Sequence, residues 1–247
     1  MKTTVLRERL EETADWFKLE SGRWDEVPPT CLKLQVDASK VKRFDPVATL
    51  KKLKTLSVEH VRDEDCDQIA KLTGLRTLFL ISPNISSLEP LRSMSRLEGL
   101  SIMHGAKVCS FRGIEGMQSL RFLHAYNIPR VNDLAPLGKL TELRELDLQM
   151  SWATTKKLSF KTLSPLGRLA QLRLLDLRGV DTDDDSLRPL GSLKKLKSLF
   201  PCHLGMPIEE LAYLAAVLNR TLSKEDRLFA TKPIDNPHKT WMCKKCG

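Results

Sequence analysis

The chain has 247 residues, 41% of them apolar but only 6% aromatic, and 40 basic against 31 acidic side chains give a formal charge of +9. That length allows one large domain or two small ones, and a core with so few rings must be filled by aliphatic side chains. No stretch reaches the roughly 20 apolar residues of a membrane helix, and the charged start holds no signal-peptide run.

At the N-terminus Val5, Leu6, Leu10, Ala14 and Phe17 recur at helical spacing with charged residues between them. The spacing predicts an amphipathic helix over 3–19, within a cap and linker that occupy 1–30. The turn-rich ESGRWDEVPP follows at 20–29, and Trp16 and Trp24 are expected to pack along that junction.

From 31 to 204 one pattern returns about eight times. LKTLSV (53–58), LRTLFL (75–80), LEGLSI (97–102), LRFLHA (120–125), LRELDL (143–148) and LRLLDL (172–177) share one form, with a weaker copy at 31–36 and another from Leu196. The central leucines are Leu34, Leu56, Leu78, Leu100, Leu123, Leu146, Leu175 and Leu199, at steps of 22, 22, 22, 23, 23, 29 and 24 residues. Between them lie segments such as ISSLEPLRSM (85–94), VNDLAPLGKL (131–140) and DDSLRPLGSL (184–193). Their proline suits the first turn of a short helical or 3₁₀ return, because it lacks the N–H that such a turn leaves unpaired. In the strand, alternation sends Leu78 and Leu80 inward and Thr77, Phe79 and Ile81 outward. One coil of about 22 residues cannot shield its own leucines from water, whereas stacked coils bury them in one continuous core.

These segments resemble the leucine-rich-repeat family, and their spacing and proline-bearing returns are similar to its internalin-like and SDS22-like classes, which suggests a bacterial source. The resemblance covers about 31–200. It implies an α/β solenoid: a right-handed coil with a concave parallel β-sheet, short helical or 3₁₀ returns, helical caps at both ends, and partners docked on the concave face. One family feature is missing. Where an asparagine commonly bonds the corner backbone, this chain has Val61, Pro83, Gly105, Ile128, Ser151 and Val180, so the corner groups must find other partners.

Between Leu148 and Leu163 the segment QMSWATTKKLSF adds about six or seven residues, which reads as a loop carrying Trp152 beside Lys156 and Lys157. The acidic run Asp181, Asp183, Asp184 and Asp185 reads as a solvated turn rather than a calcium loop. Pro207 opens a helical pattern, and 205–222 is expected to cap the far end. An irregular tail, 223–247, ends in Cys243 and Cys246.

A solvated strand face is normally polar. Here the outward positions of the third to fifth repeats offer Phe79, Ile81, Met103, Phe122, His124 and Tyr126, and Glu145, Asp147 and Asp176 follow. Aromatics and methionine are the anchors of protein interfaces. The face, with Trp152 at its side, therefore reads as a grip for a protein segment having an apolar part and a basic part. The plainer alternative is that these residues pack against the chain's own tail or are scattered surface.

A basic column of Lys54, Arg76, Arg121, Arg144, Arg173 and Lys197, broken by Glu98, could follow phosphates but reads as a solvated edge, since no aromatic platform interleaves it. A nucleic-acid partner is not expected, nor a small-molecule substrate or a membrane. At the tail, Cys243 and Cys246 have the spacing of half a zinc knuckle, and His238 could add a third ligand. A vestigial ribbon and a free dithiol stay open beside zinc. No phosphate-binding glycine loop, nucleophile elbow or zinc-protease motif occurs, so a non-catalytic, cytoplasmic protein-binding module is the leading expectation. A basic-edged nucleic-acid-associated protein with a terminal zinc knuckle, and a self-associating structural protein, are the alternatives.

Overall fold

The computed structural model describes residues 16–150, 158–200 and 207–222. The recurring leucines place one strand in every coil: β1 Phe17–Leu19, β2 Lys33–Asp37, β3 Thr55–Glu59, β4 Thr77–Ile81, β5 Gly99–Met103, β6 Phe122–Tyr126, β7 Glu145–Gln149, β8 Leu158–Phe160, β9 Leu174–Asp176, β10 Val180–Thr182 and β11 Ser198–Phe200. Nine of them form one parallel sheet in the order β1-β2-β3-β4-β5-β6-β7-β9-β11. The register is strict. Leu34, Leu56, Leu78, Leu100, Leu123, Leu146, Leu175 and Leu199 pair in one unbroken row, and none is more than 1% exposed. Each fully buried leucine contributes on the order of 2 kcal/mol from the apolar area it removes from water.

The returns follow the prolines. Asp45–Thr49, Glu89–Leu91, Ala135–Lys139, Ser164–Arg168 and Arg188–Ser192 are 3₁₀ turns with proline in the first two positions. Their leucines Leu91, Leu137, Leu166 and Leu190 close the core from the side opposite the sheet. Where the proline is missing the return changes. Asp63–Ala70 becomes an α-helix, α1, whose first turn carries Asp63, Glu64 and Asp65, a placement the helix dipole favours. A second proline-free return, Ile114–Gly116, starts from Gly113 at φ +99°, where a Cβ would lie 2.3 Å from the Leu88 carbonyl oxygen.

The corners solve the missing-asparagine problem with backbone. His60, Ser82, His104 and Asn127, each just after a strand, adopt φ between +46° and +57°, a left-handed turn that His and Asn tolerate better than most residues. Their N–H groups donate to the last strand carbonyl of the next coil, His60 to Ile81, Ser82 to Met103, His104 to Tyr126 and Asn127 to Gln149, at 2.8–3.0 Å. Where asparagine would stand, Val61 and Ile128 instead fill the corner's interior at 0% exposure.

Three expectations change. The helix expected over 3–19 does not reach residue 19, because Phe17–Leu19 is β1, pairing Phe17 with Leu34 and Leu19 with Val36. An exposed apolar sheet edge is stabilised more by another parallel strand than by a helix end, and FKL alternates well enough to supply one. The 29-residue coil is not loop alone: Leu158 and Phe160 of β8 are buried, and β8 pairs with β10 in a separate two-stranded parallel sheet. Of the two tryptophans, Trp24 stays at the junction, edge-on to Phe44 at 5.7 Å with its indole N–H donating to the Arg43 carbonyl. Trp16 does not. Its ring lies 6.2 Å from Phe79, on β4.

At the far end, helix α2 (Ile208–Leu218) seats Leu214 and Leu218 in the core. Glu210 latches it to the last return, accepting the Leu187 N–H at 2.8 Å and the Arg188 guanidinium at 3.0 Å. Partial burial opposes ionisation of this carboxylate, but these donors outweigh it and hold its pKa below the ordinary glutamate value.

Candidate functional site

The outward residues of the sheet form three rows running across the strands. The first begins with Lys33, Thr55 and Thr77, the middle with Gln35, Ser57 and Phe79, and the third with Asp37, Glu59 and Ile81. The register places Phe79, His124, Asp147 and Asp176 in the middle row, and Ile81, Met103 and Tyr126 in the third. Phe122 and Glu145 are neighbours in the first. All are brought onto one face by strand alternation. Trp152, Cys243, Cys246 and His238 lie outside the described residues.

The face is not evenly open. Ile81, Met103, Phe122, His124, Tyr126 and Glu145 are half-buried, but Phe79 is 0% exposed and Asp147 and Asp176 are 5% and 3% exposed. The sequence points all three away from the leucine core, and this it does correctly. The expectation that they stand open to solvent is corrected. Alternation fixes direction, whereas exposure depends on what lies over the sheet.

Neighbouring side chains make a polar chain across the C-terminal half of the face. The Ser101 hydroxyl lies 3.2 Å from His124 Nδ1, and His124 Nε2 lies 3.8 Å from an Asp147 carboxylate oxygen. Gln149 donates to Asp147 at 2.6 Å and to Asp176 at 3.2 Å. Arg178 grips both oxygens of Asp176 at 2.6–3.0 Å and lays its guanidinium 5.2 Å from the Phe200 ring centre. The acidic pair that like-charge repulsion would penalise is therefore bridged by an amide and partly neutralised by an arginine. The sequence reading missed Gln149, Arg178 and Ser101. Their outward positions were legible, but only the register shows that they meet the aspartates.

Ser101, His124 and Asp147 stand in the order of a hydrolytic triad. The geometry does not support that chemistry. Ser101 is 0% exposed, the His–Asp separation is too long for a hydrogen bond, and the strand N–H groups that could hold an oxyanion are committed to sheet pairing. The three residues act as structural links.

Among the described residues one group could offer a metal three donor atoms: Asp37, Glu59 and His60 bring them within 4.8 Å of one another. Hydrogen bonding already accounts for it. One Asp37 oxygen accepts from the Ser39 N–H and hydroxyl at 3.0 and 2.6 Å and lies 3.0 Å from His60 Nδ1. The other faces the Lys40 ammonium at 3.7 Å. Partial burial opposes the Asp37 charge, but the Ser39 and His60 contacts prevail and hold its pKa down to about 2.

The basic column is a solvated edge for much of its length, with Lys54, Arg76, Arg121, Arg173 and Lys197 exposed. Glu98 interrupts it by pairing with Arg76 at 3.2 Å. Its backbone matters more than its charge. The Lys54 carbonyl accepts from both Arg76 and Thr77, and the Arg76 carbonyl accepts from both Glu98 and Gly99, at 2.8–3.0 Å.

A family model described as a leucine-rich repeat region matches residues 30–211. Two solved structures similar in fold are internalins from Listeria monocytogenes. The first, InlF, shows 20% identity and a TM-score of 0.57, over 77% of this chain and 54% of that one. The second, InlC2, shows 24% identity and a TM-score of 0.53, over 70% of this chain and 68% of that one. A TLR13–ssRNA13 complex is similar at 19% identity and a TM-score of 0.50, over 75% of this chain and 32% of that one. The chain thus spans about half the length of the InlF structure that it matches. No curated protein matches it in sequence.

Proposed function

The chain belongs to the leucine-rich-repeat family, and from that premise we propose that it is a non-catalytic interaction module that holds a protein segment on its concave strand face. The observation that carries this reading is the outer surface of β4–β7. There Ile81, Met103, Phe122 and Tyr126 are half-buried rather than polar and solvated, next to the carboxylates of Glu145, Asp147 and Asp176. A rigid strip of this kind offers apolar and aromatic anchors at one end and negative potential at the other. The partner it suits is an extended or helical segment with an apolar stretch followed by basic residues.

The setting we propose is the reducing cytoplasm. Cys31, Cys66 and Cys109 are free thiols, and burial, helped by Asp63, Asp65 and Asp67, pushes the Cys66 thiol up to about 12, which keeps it unreactive. Among the described residues no helix is long and apolar enough to cross a membrane.

A photo-crosslinking side chain at Met103, compared with one at the exposed Lys195 on the return side, tests the binding reading in cells that express the protein. Captured peptides specific to position 103 and rich in apolar and basic residues are expected. Identical capture at both positions would reject the concave face as the binding surface.

A further inference from the structure

We propose that the rim where each return feeds the next strand is a docking surface for the phosphate backbone of a nucleic-acid duplex. It lies beside the strand face and is independent of the protein-binding reading. The four residues before each of β3–β7, β9 and β11 occupy equivalent positions in successive coils (51–54, 73–76, 95–98, 118–121, 141–144, 170–173 and 194–197). Every charged residue in these stretches is Lys or Arg, except Glu98 and Glu142. Both ends of the rim carry the same pentapeptide, LKKLK, at 50–54 and 193–197, with Arg76, Arg121, Arg144 and Arg173 between them. Arg144 is half-buried and the rest of these cations are exposed.

Taken one coil at a time, such residues are an ordinary solvated edge. The stack joins them into a band, and the backbone sets its spacing. Arg76 donates its N–H to the Lys54 carbonyl, and the same bond recurs coil by coil to Lys197 and Arg173, at 2.7–2.9 Å. From β3 to β11 the band covers six strand spacings, about 29 Å. Ion pairs gather on the returns and the opposite corners, joining Lys40 to Asp37, Arg62 to Asp65, Arg92 to Glu89 and Arg188 to Glu210. Among the described residues the rim has one, Arg76 with Glu98 at 3.2 Å. Lys54, Lys194 and Lys195 donate only to neutral oxygens, of Gly74, Gly191 and Gln171. Solubility is served by interspersed charges of both signs. A long band of one sign repels itself until a polyanion meets it.

The chemistry of the band favours a duplex. Duplex DNA carries one phosphate per roughly 1.7 Å of axis, so about 17 lie along the rim's length. A stiff rod of charge suits a column whose spacing the backbone holds fixed. Apart from the buried leucines, the uncharged positions are small or hydrogen-bonding, as Ser95, Gln118 and Thr141 are, and such side chains donate to phosphate oxygens. No aromatic stands among them to stack on an unpaired base, and no exposed large apolar side chain to enter a bilayer. Glu145, Asp147 and Asp176 repel the same polyanion from the strand face, so the two surfaces take different partners.

The test titrates the full chain against a fluorescent DNA duplex of random sequence and reads anisotropy over a range of salt concentrations. Log affinity should fall against log salt with a slope of about −4 or steeper, as about five phosphate contacts require. Lys54→Gln, Arg121→Gln and Arg173→Gln together should weaken binding by about tenfold or more and flatten the slope by about 3. Lys107→Gln, Arg112→Gln and Arg130→Gln take the same charge from exposed positions at the opposite corners, and should change affinity by less than about twofold. Equal weakening by the two triple variants would reduce the effect to net charge and overturn the proposal. No binding by the parent chain, or a slope flatter than about −2, would overturn it as well. So would tighter binding to phosphatidylserine vesicles than to the duplex, which would make the rim a membrane surface. If the rim variant loses its far-ultraviolet circular dichroism, Lys51→Gln with Lys194→Gln decides instead. A weakening of about fivefold is then expected, and none overturns the proposal.

Discussion

The two faces of this sheet are built from alternate residues of the same strands, and they obey different rules. The inner row repeats one residue type eight times, from Leu34 to Leu199. The outer middle row beside it reads Gln35, Ser57, Phe79, Ser101, His124, Asp147, Asp176 and Phe200, with no one residue type kept along it. Much of both rows is buried, yet for different reasons. The inner row is closed by the coil's own return, so every coil faces the same packing problem and solves it with the same side chain. The outer row varies from coil to coil and lies outside that shared packing. Repetition here marks packing, and variation marks the face proposed to bind.

The comparison breaks most sharply under truncation. Leu123→Ala should cost about 2–5 kcal/mol in urea unfolding, the range for a fully buried leucine that leaves a cavity. If it costs no more than Phe122→Ala on the opposite face, the distinction between the faces is lost. Asp176→Ala should come next, at about 2 kcal/mol, because it leaves Arg178 and Gln149 without the carboxylate that accepts from both. A loss below the error of the unfolding curve would show the polar chain to be incidental.

A smaller effect is written into the third row as a pH dependence. Folding lowers the Asp37 pKa from 3.8 to about 2. Its contribution is therefore complete above the unfolded value and disappears as the pH falls through the folded one. The side chain is 14% exposed, and the contribution is about 1–2 kcal/mol. Asp37→Asn should be less stable than the parent at pH 6, with the gap closing near pH 2. A gap that stays constant across that window would contradict the assignment. The smallest change expected is Ser57→Ala. The Ser57 hydroxyl is buried with no hydrogen-bond partner among the described residues, so its removal should be neutral or stabilise by up to about 1 kcal/mol. A clear loss would contradict that reading of the hydroxyl.

How much was legible follows the same division. The strands, their order, the inward leucines and the proline-bearing returns could all be read from LRTLFL and its copies, since each is set by spacing along the chain. The outward direction of Phe79, Phe122, Tyr126 and Asp147 was legible too. The strand Phe17–Leu19 was not. Its three residues also continue a helical pattern begun at Val5, and only an unfilled sheet edge decides between the two. The left-handed corners at His60, Ser82, His104 and Asn127 were missed because the expected signal was a side-chain amide, whereas the chain closes its corners by a backbone twist.

The amino-acid order alone determined that successive coils stack in register, because a leucine every 22 or 23 residues has no other way out of water. Tertiary structure alone decided which outward residues are covered and which of them touch. Phe79 meets the Trp16 ring, more than 60 positions away, and the Asp147–Gln149–Asp176 link depends on strands joined across the longest coil. Such contacts are set by distances in space, which no local period encodes.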